Sequence, residues 1–400
     1  MKPLQKRMSE YNIPQLFMAK GMYPYYHSLE TGQDTVVYIK GKKVLMFGSN
    51  SYLGLTNHPK LKEAAAKALI KYGTGASGSR LMNGNLDLHD ELEIKLAEYT
   101  GKQTATVFST GFQANVGTIP ALVGRNDYLI IDEKSHASII EGSRLAFAKT
   151  LKYKHNDTEA LEKALTKTDR NKITVIISDG VFSMEGDVAP LDKIVELADK
   201  YNASVMLDDA HGLGVMGING AGTASHFNLT DKTDIIMGTF SKSLASLGGF
   251  IASDFNTINY LKHSARALIF SAGIPPASAA TVLEALKIIK SEPQRIDALW
   301  ENTNYAKKCL KQENFNIGNS TTPIIPIFTG EDSKTFSYAS MLLNKGVYVN
   351  PVVHPAVEKN NGILRFSLMA THTKKQIATA VEKLVECRSL IEKNKVAQFA

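Results

Sequence analysis

The chain has 400 residues, enough to bury a sizeable core in two or three units, and its 44% hydrophobic and 21% charged content excludes a disordered or collagenous class. Its two cysteines, Cys309 and Cys387, lack CxxC spacing, which excludes a disulfide framework or cysteine zinc site and fits a reducing, cytoplasmic compartment. The net charge of +7 is spread along the chain instead of clustered, which points away from nucleic acid and towards an anionic small molecule, an acidic carrier or a membrane surface.

The opening MKPLQKRMSEYNIPQLF lacks the apolar core of a signal peptide, and no run of about 18 apolar residues suggests a membrane span. Residues 1–55 read as an N-terminal arm. A short helix is expected over 10–20, then two apolar runs around Gly41 that suit a hairpin. Residues 59–71 and 86–99 carry helical patterns, the first opened by Pro59. From 56 to 276 short apolar strands alternate with helices: TATVF (104–108), YLIID (128–132), ITVIIS (173–178), SVMLD (204–208) and DIIMG (234–238). Continuous Ile/Val-rich runs of this length suit strands buried on both faces of a parallel sheet. GGFIAS (248–253) is a further candidate, antiparallel to the rest. Beyond 277 the alternation slows. Helices at 277–291 and 294–312, strands at 323–328, 347–353 and 363–369, and a last helix at 373–393 predict a smaller α+β domain over 277–400.

Ligands of open α/β sheets bind beyond the carboxyl ends of the strands. Five ends here carry polar groups: Ser109-Thr110-Gly111, Asp132-Glu133 followed by His136, Asp179, Asp208 followed by His211, and Thr239-Phe240-Ser241-Lys242. Gly111 lets backbone N–H groups at a helix start approach an anion, and Thr239 and Ser241 add hydroxyls. Asp208 can hold a protonated ring nitrogen, His211 can donate to a ring oxygen, and His136 can stack on a flat ring. Lys242 lies among small residues, where a partly desolvated amine loses its proton and can attack an aldehyde. Aldehyde, ring nitrogen, ring oxygen and phosphate together describe pyridoxal 5′-phosphate (PLP).

Two other patterns read differently. Gly73-Thr74-Gly75-Ala76-Ser77-Gly78 matches GxGxxG but follows a helix, so a dinucleotide site is not expected. His27, His58, His89, His155 and His226 show no metal spacing, and no metal is expected.

Asp208-Asp209-Ala210-His211-Gly212-Leu213-Gly214 and Gly238-Thr239-Phe240-Ser241-Lys242-Ser243 resemble the fold-type I α-oxoamine synthase family of PLP enzymes. Asn50-Ser51-Tyr52-Leu53-Gly54-Leu55, Phe182-Ser183-Met184-Glu185-Gly186-Asp187 and Arg365-Phe366-Ser367 extend the likeness over nearly the whole chain, nearest to the family's soluble bacterial serine palmitoyltransferase branch. The resemblance implies a PLP-dependent transferase of fold type I. Its central sheet would be mostly parallel with helices on both faces, and a smaller C-terminal α+β domain would follow.

The resemblance makes Lys242, His136, Asp208 and His211 catalytic. It assigns the cofactor to Gly111, Phe112, His136, Ser183, Asp208, Ala210, His211, Thr239, Ser241 and Lys242, with Ser271 reaching across from a second subunit. Asn50, Tyr52, His136 and Arg365 would bind the amino acid. The implied reaction is decarboxylating condensation of L-serine with a long-chain acyl-CoA such as palmitoyl-CoA, giving 3-ketodihydrosphingosine, CoA and CO2, in a homodimer with shared active sites. Glycine or alanine with another acyl-CoA stays open, as do an aminotransferase or decarboxylase, a non-catalytic binding subunit, an acyl carrier protein as donor, and peripheral membrane contact.

Overall fold

Residues 1–399 are described by the structure, a computed structural model, with side chains as far as residue 393. Strands β1 (Val36–Ile39) and β2 (Lys42–Met46) form the expected hairpin, turning at Gly41 with φ +70°. Two short helices, Pro3–Ser9 and Ile13–Ala19, precede it, the first of them not expected from the sequence.

The large sheet has seven strands: β3 (Thr104–Phe108), β4 (Tyr128–Asp132), β5 (Lys149–Tyr153), β6 (Thr174–Asp179), β7 (Ser204–Asp208), β8 (Ile235–Thr239) and β9 (Gly249–Ser253). Their order is β3-β9-β8-β7-β6-β4-β5. Only β9 runs against the others, as its sequence suggested. Side-chain alternation divides the central strands between two cores. Leu129, Ile131, Val175, Ile177, Met206, Ile235 and Met237 face helices Gly111–Leu122, Ala137–Ala146 and Phe255–Ser264. Ile130, Ile176, Val205, Leu207 and Ile236 face helices Thr158–Leu165 and Leu191–Tyr201. Both faces of the sheet are therefore covered, which is why these strands are apolar throughout.

The last part contains β10 (Ile324–Gly330), β11 (Val347–Tyr348), β12 (Asn350–Val352) and β13 (Gly362–Ser367). The apolar run 347–353 is split: β12 pairs with β13, whereas β11 pairs with β2 of the hairpin. Val37, Ile39, Val44 and Met46 share a small core with Met369, fastening the hairpin to this part of the molecule. A fourth and larger core joins helices Pro59–Tyr72, Asp87–Thr100 and Pro276–Ser291 to the small sheet. Among the described residues no helix is long and apolar enough to cross a membrane.

Candidate active site

Because β3, β4, β6, β7 and β8 run the same way, their polar ends meet on one rim. Asp208 closes β7 and is buried. Its Oδ2 accepts a 2.7 Å hydrogen bond from Asn115 Nδ2 and its Oδ1 one of 3.1 Å from the Ala210 N–H. Asn115 also donates to Ser138 Oγ at 2.8 Å. Neither Asn115 nor Ser138 was assigned a role from sequence. The available signal was a lone buried amide inside the apolar helix Gly111–Leu122.

His136 caps helix Ala137–Ala146: its backbone N–H donates to Asp179 Oδ2 at 3.1 Å, and its Nδ1 meets Ser138 Oγ at 2.7 Å. Burial, then the neighbouring Asp208 carboxylate, push the Asp179 carboxyl well above its ordinary value. Burial drives the His211 imidazole well below its usual value, helped by the Lys242 and Arg365 cations, so the ring is neutral. Its Nδ1 lies 2.6 Å from Tyr52 Oη.

Lys242 follows β8 and has no carboxylate within 4.0 Å among the described residues. Burial lowers its amine to about 7, with Asp208 opposing the shift and Arg365 adding to it. The amine is thus near half deprotonated at neutral pH, as a nucleophile requires.

The anion cradle is formed by close packing. Thr110 caps helix Gly111–Leu122 by accepting from Gln113 N at 3.0 Å, so the first N–H groups of the helix are left to face a ligand. Thr239 Oγ1 and Ser241 Oγ lie 3.0 Å apart beside it. A Cβ on Gly111 would stand 2.7 Å from Thr239 Oγ1, so only glycine leaves this hollow open. Phe112 is the second residue of this helix, and it is 47% exposed. Ser271 lies on the same subunit's flank, accepting from Gln113 Nε2 at 3.3 Å.

On the opposite side Arg365 rises from β13 and is buried. Its Nε donates to the Ser183 carbonyl at 2.6 Å, its Nη1 to Asn50 Oδ1 at 2.9 Å and Ser367 Oγ at 2.8 Å, and its Nη2 to Tyr52 Oη at 3.3 Å. All these partners are neutral. A buried guanidinium is costly without an anion, and one Nη2 proton remains to donate, so the arrangement asks for a carboxylate ligand. The donor set therefore fits PLP on one side, through an uncompensated amine, a buried carboxylate and an anion cradle. It fits an amino-acid carboxylate on the other.

Comparison with known proteins agrees with this geometry. The description "Aminotransferase class I and II" matches residues 42–384. The chain belongs to that family. It is 56% identical over 382 residues to the serine palmitoyltransferase of Sphingobacterium spiritivorum, covering 96% of each chain. It is 43% identical to the 8-amino-7-oxononanoate synthase of Alkaliphilus metalliredigens, covering 90% of this chain and 92% of that one. The structure superposes on a serine palmitoyltransferase variant from S. paucimobilis with a bound PLP–myriocin aldimine at a TM-score of 0.94 and 32% identity, covering 98% and 100% of the two chains. The fold-type I expectation is thereby met.

Proposed function

We propose that this chain is a PLP-dependent acyltransferase that condenses L-serine with a long-chain acyl-CoA, palmitoyl-CoA being the type substrate. The products are 3-ketodihydrosphingosine, CoA and CO2. One observation carries the reading of the site: a buried arginine without an acidic partner stands across from a lysine amine whose pKa is lowered to about 7. The choice of serine and a long acyl chain rests on the 56% identity to a serine palmitoyltransferase over almost the full length.

When bound, PLP supplies an aldehyde that takes the substrate amine and a ring that accepts the electron pair released at Cα. Lys242 holds the cofactor between turnovers and moves the proton at serine Cα. Asp208, fixed by Asn115 and the Ala210 N–H, keeps the ring nitrogen protonated. His211, oriented by Tyr52, would donate to the ring oxygen, and His136 and Ala210 would hold the ring by packing. The Gly111 and Phe112 N–H groups with the Thr239 and Ser241 hydroxyls hold the phosphate, with Ser271 joining from a second subunit. Arg365 grips the serine carboxylate through its charge and its remaining Nη2 proton, with Asn50, Tyr52 and the Ser183 carbonyl setting the plane of the guanidinium. The same grip holds the carboxylate until it leaves as CO2.

The protein works in the cytoplasm as a homodimer with shared sites. Apolar side chains exposed on helices Pro3–Ser9 and Ile13–Ala19, among them Leu4, Met8, Ile13 and Leu16, leave room for peripheral contact with the membrane that receives the product. The test is a product assay by mass spectrometry. Serine with palmitoyl-CoA should give 3-ketodihydrosphingosine and free CoA. Product only from alanine with a dicarboxylic acyl-CoA would move the chain to the 8-amino-7-oxononanoate synthase reaction.

A further inference from the structure

His155 lies outside the ring of groups described above, on the loop after β5, and none of the assignments uses it. Its ring bridges two carboxylates. Nδ1 is 3.1 Å from Asp132 Oδ1 and Nε2 is 3.0 Å from Asp187 Oδ2. Ionised carboxylates only accept, so an imidazole bonded to one at each nitrogen carries both protons and is a cation. The cluster is largely enclosed, with side-chain exposures of 14% for His155, 0% for Asp132 and 22% for Asp187.

Each carboxylate organises a turn that ends in the site. Asp132 accepts from Lys134 N at 2.8 Å and Asn156 N at 2.9 Å, shaping the turn that delivers His136. Asp187 belongs to a loop closed on itself by Phe182 N to Asp187 O at 3.0 Å and Ala189 N to Gly180 O at 3.0 Å. At its tip the Ser183 carbonyl receives Arg365 Nε. The Phe182 ring packs edge-on against His155, with centroids 4.3 Å apart. The other charged groups nearby are Glu133, whose Oε1 accepts the His155 backbone N–H at 3.1 Å, and the Lys134–Glu185 pair at 2.9 Å, a second link between the same two turns. Tyr153 on β5 stays neutral, its pKa raised by burial and then by Asp132.

We propose that His155 is a positioning residue for the amino-acid substrate: it clasps the 180–189 loop to the 132–136 turn, and through the Ser183 carbonyl it aims Arg365 at the serine carboxylate. The inference rests on the serine reading given above. Its pH dependence has a definite sign. The two carboxylates overcome the effect of burial and raise the His155 pKa to about 9. The clasp is therefore intact at neutral pH and opens as pH rises through about 9.

The test uses holoenzyme of the wild type, His155→Gln and Asp187→Asn. The dissociation constant for L-serine is measured by calorimetry and the KM for palmitoyl-CoA by turnover, with PLP content as a control. His155→Gln should weaken serine about tenfold at neutral pH, the scale of lost support behind a binding group. The palmitoyl-CoA KM and PLP content should stay unchanged. Asp187→Asn, which keeps the shape of the loop, should weaken serine in the same direction. The ratio of variant to wild-type constants should fall towards one above pH about 9. In cofactor-free wild type, the His155 ring nitrogens should titrate near the same pH by NMR. Equal serine binding by wild type and both variants overturns the inference alone. So does a joint loss of serine, acyl-CoA and PLP, which would mark general loosening. Failure of the wild type to bind serine overturns the function reading and this inference together.

Discussion

Arg365 and Lys242 hold opposite electrostatic roles in one small space. The guanidinium keeps its charge under burial and meets only neutral partners, whereas the lysine amine gives up its proton. Arg365→Lys should weaken L-serine about a hundredfold in calorimetry, because a point charge on a flexible stem loses the four fixed contacts that aim the remaining Nη2 donor. Lys242 should cost the fold stability. Its amine titrates at about 7 in the folded chain, against an ordinary 10.5, so the unfolded chain binds more protons between those values. Stability then rises with pH across that window. Lys242→Met should therefore stabilise the cofactor-free protein by about 1–2 kcal/mol at pH 7 in denaturant titration, a figure discounted for the solvent access that side chain keeps. The gain should vanish above pH 10.5. At this scale the structure brings Lys242, Asp208, His211 and Arg365 into one neighbourhood, each at or just beyond a strand end or on a short apolar strand. Asn115 and the Asp132–His155–Asp187 clasp were not legible. Their partners lie 93, 23 and 32 positions away in the chain, with no local spacing to betray them.

Among the elements, the anion cradle depends on how closely β9 passes the start of helix Gly111–Leu122. A Cβ on Gly249 would stand 2.5 Å from Gly111 Cα, and one on Gly248, at φ +140°, 2.4 Å from the Phe240 ring. These glycines let the antiparallel strand lie against the anion cradle. Gly249→Ala should cost about 1–3 kcal/mol in chemical denaturation as an overpacking change. It should also weaken PLP binding, measured by fluorescence titration, with serine affinity of the reconstituted enzyme less affected. The parallel strands were readable because burial on both faces makes them uniformly apolar. β5 was not, for a physical reason: as an edge strand it keeps Lys149, Thr150 and Lys152 exposed and buries only Tyr153 well. The run 347–353 read as one strand because its residues are apolar throughout, yet its two halves serve different sheets.

Across the whole molecule, the site draws on three distant stretches of chain. Asn50 and Tyr52 precede the first long helix, the cofactor groups line the large sheet, and Arg365 comes from the small one. The 180–189 loop ties these parts together, since the Gly186 carbonyl accepts from Thr321 N and Thr322 N at 3.0 and 3.1 Å while Ser183 receives Arg365. An amino acid bound by Arg365 therefore sits where the small sheet meets the large one. That meeting was visible in the sequence as an arginine beside the family's motifs, but its geometry required the fold. The most direct test of the account is a spectral titration of the holoenzyme with L-serine, glycine and L-alanine, followed by palmitoyl-CoA. The account predicts that serine shifts the cofactor absorbance at the lowest concentration, and that palmitoyl-CoA then releases CoA from the serine complex. A spectrum that responds to alanine or glycine but not to serine, or a serine complex inert to palmitoyl-CoA, would contradict it.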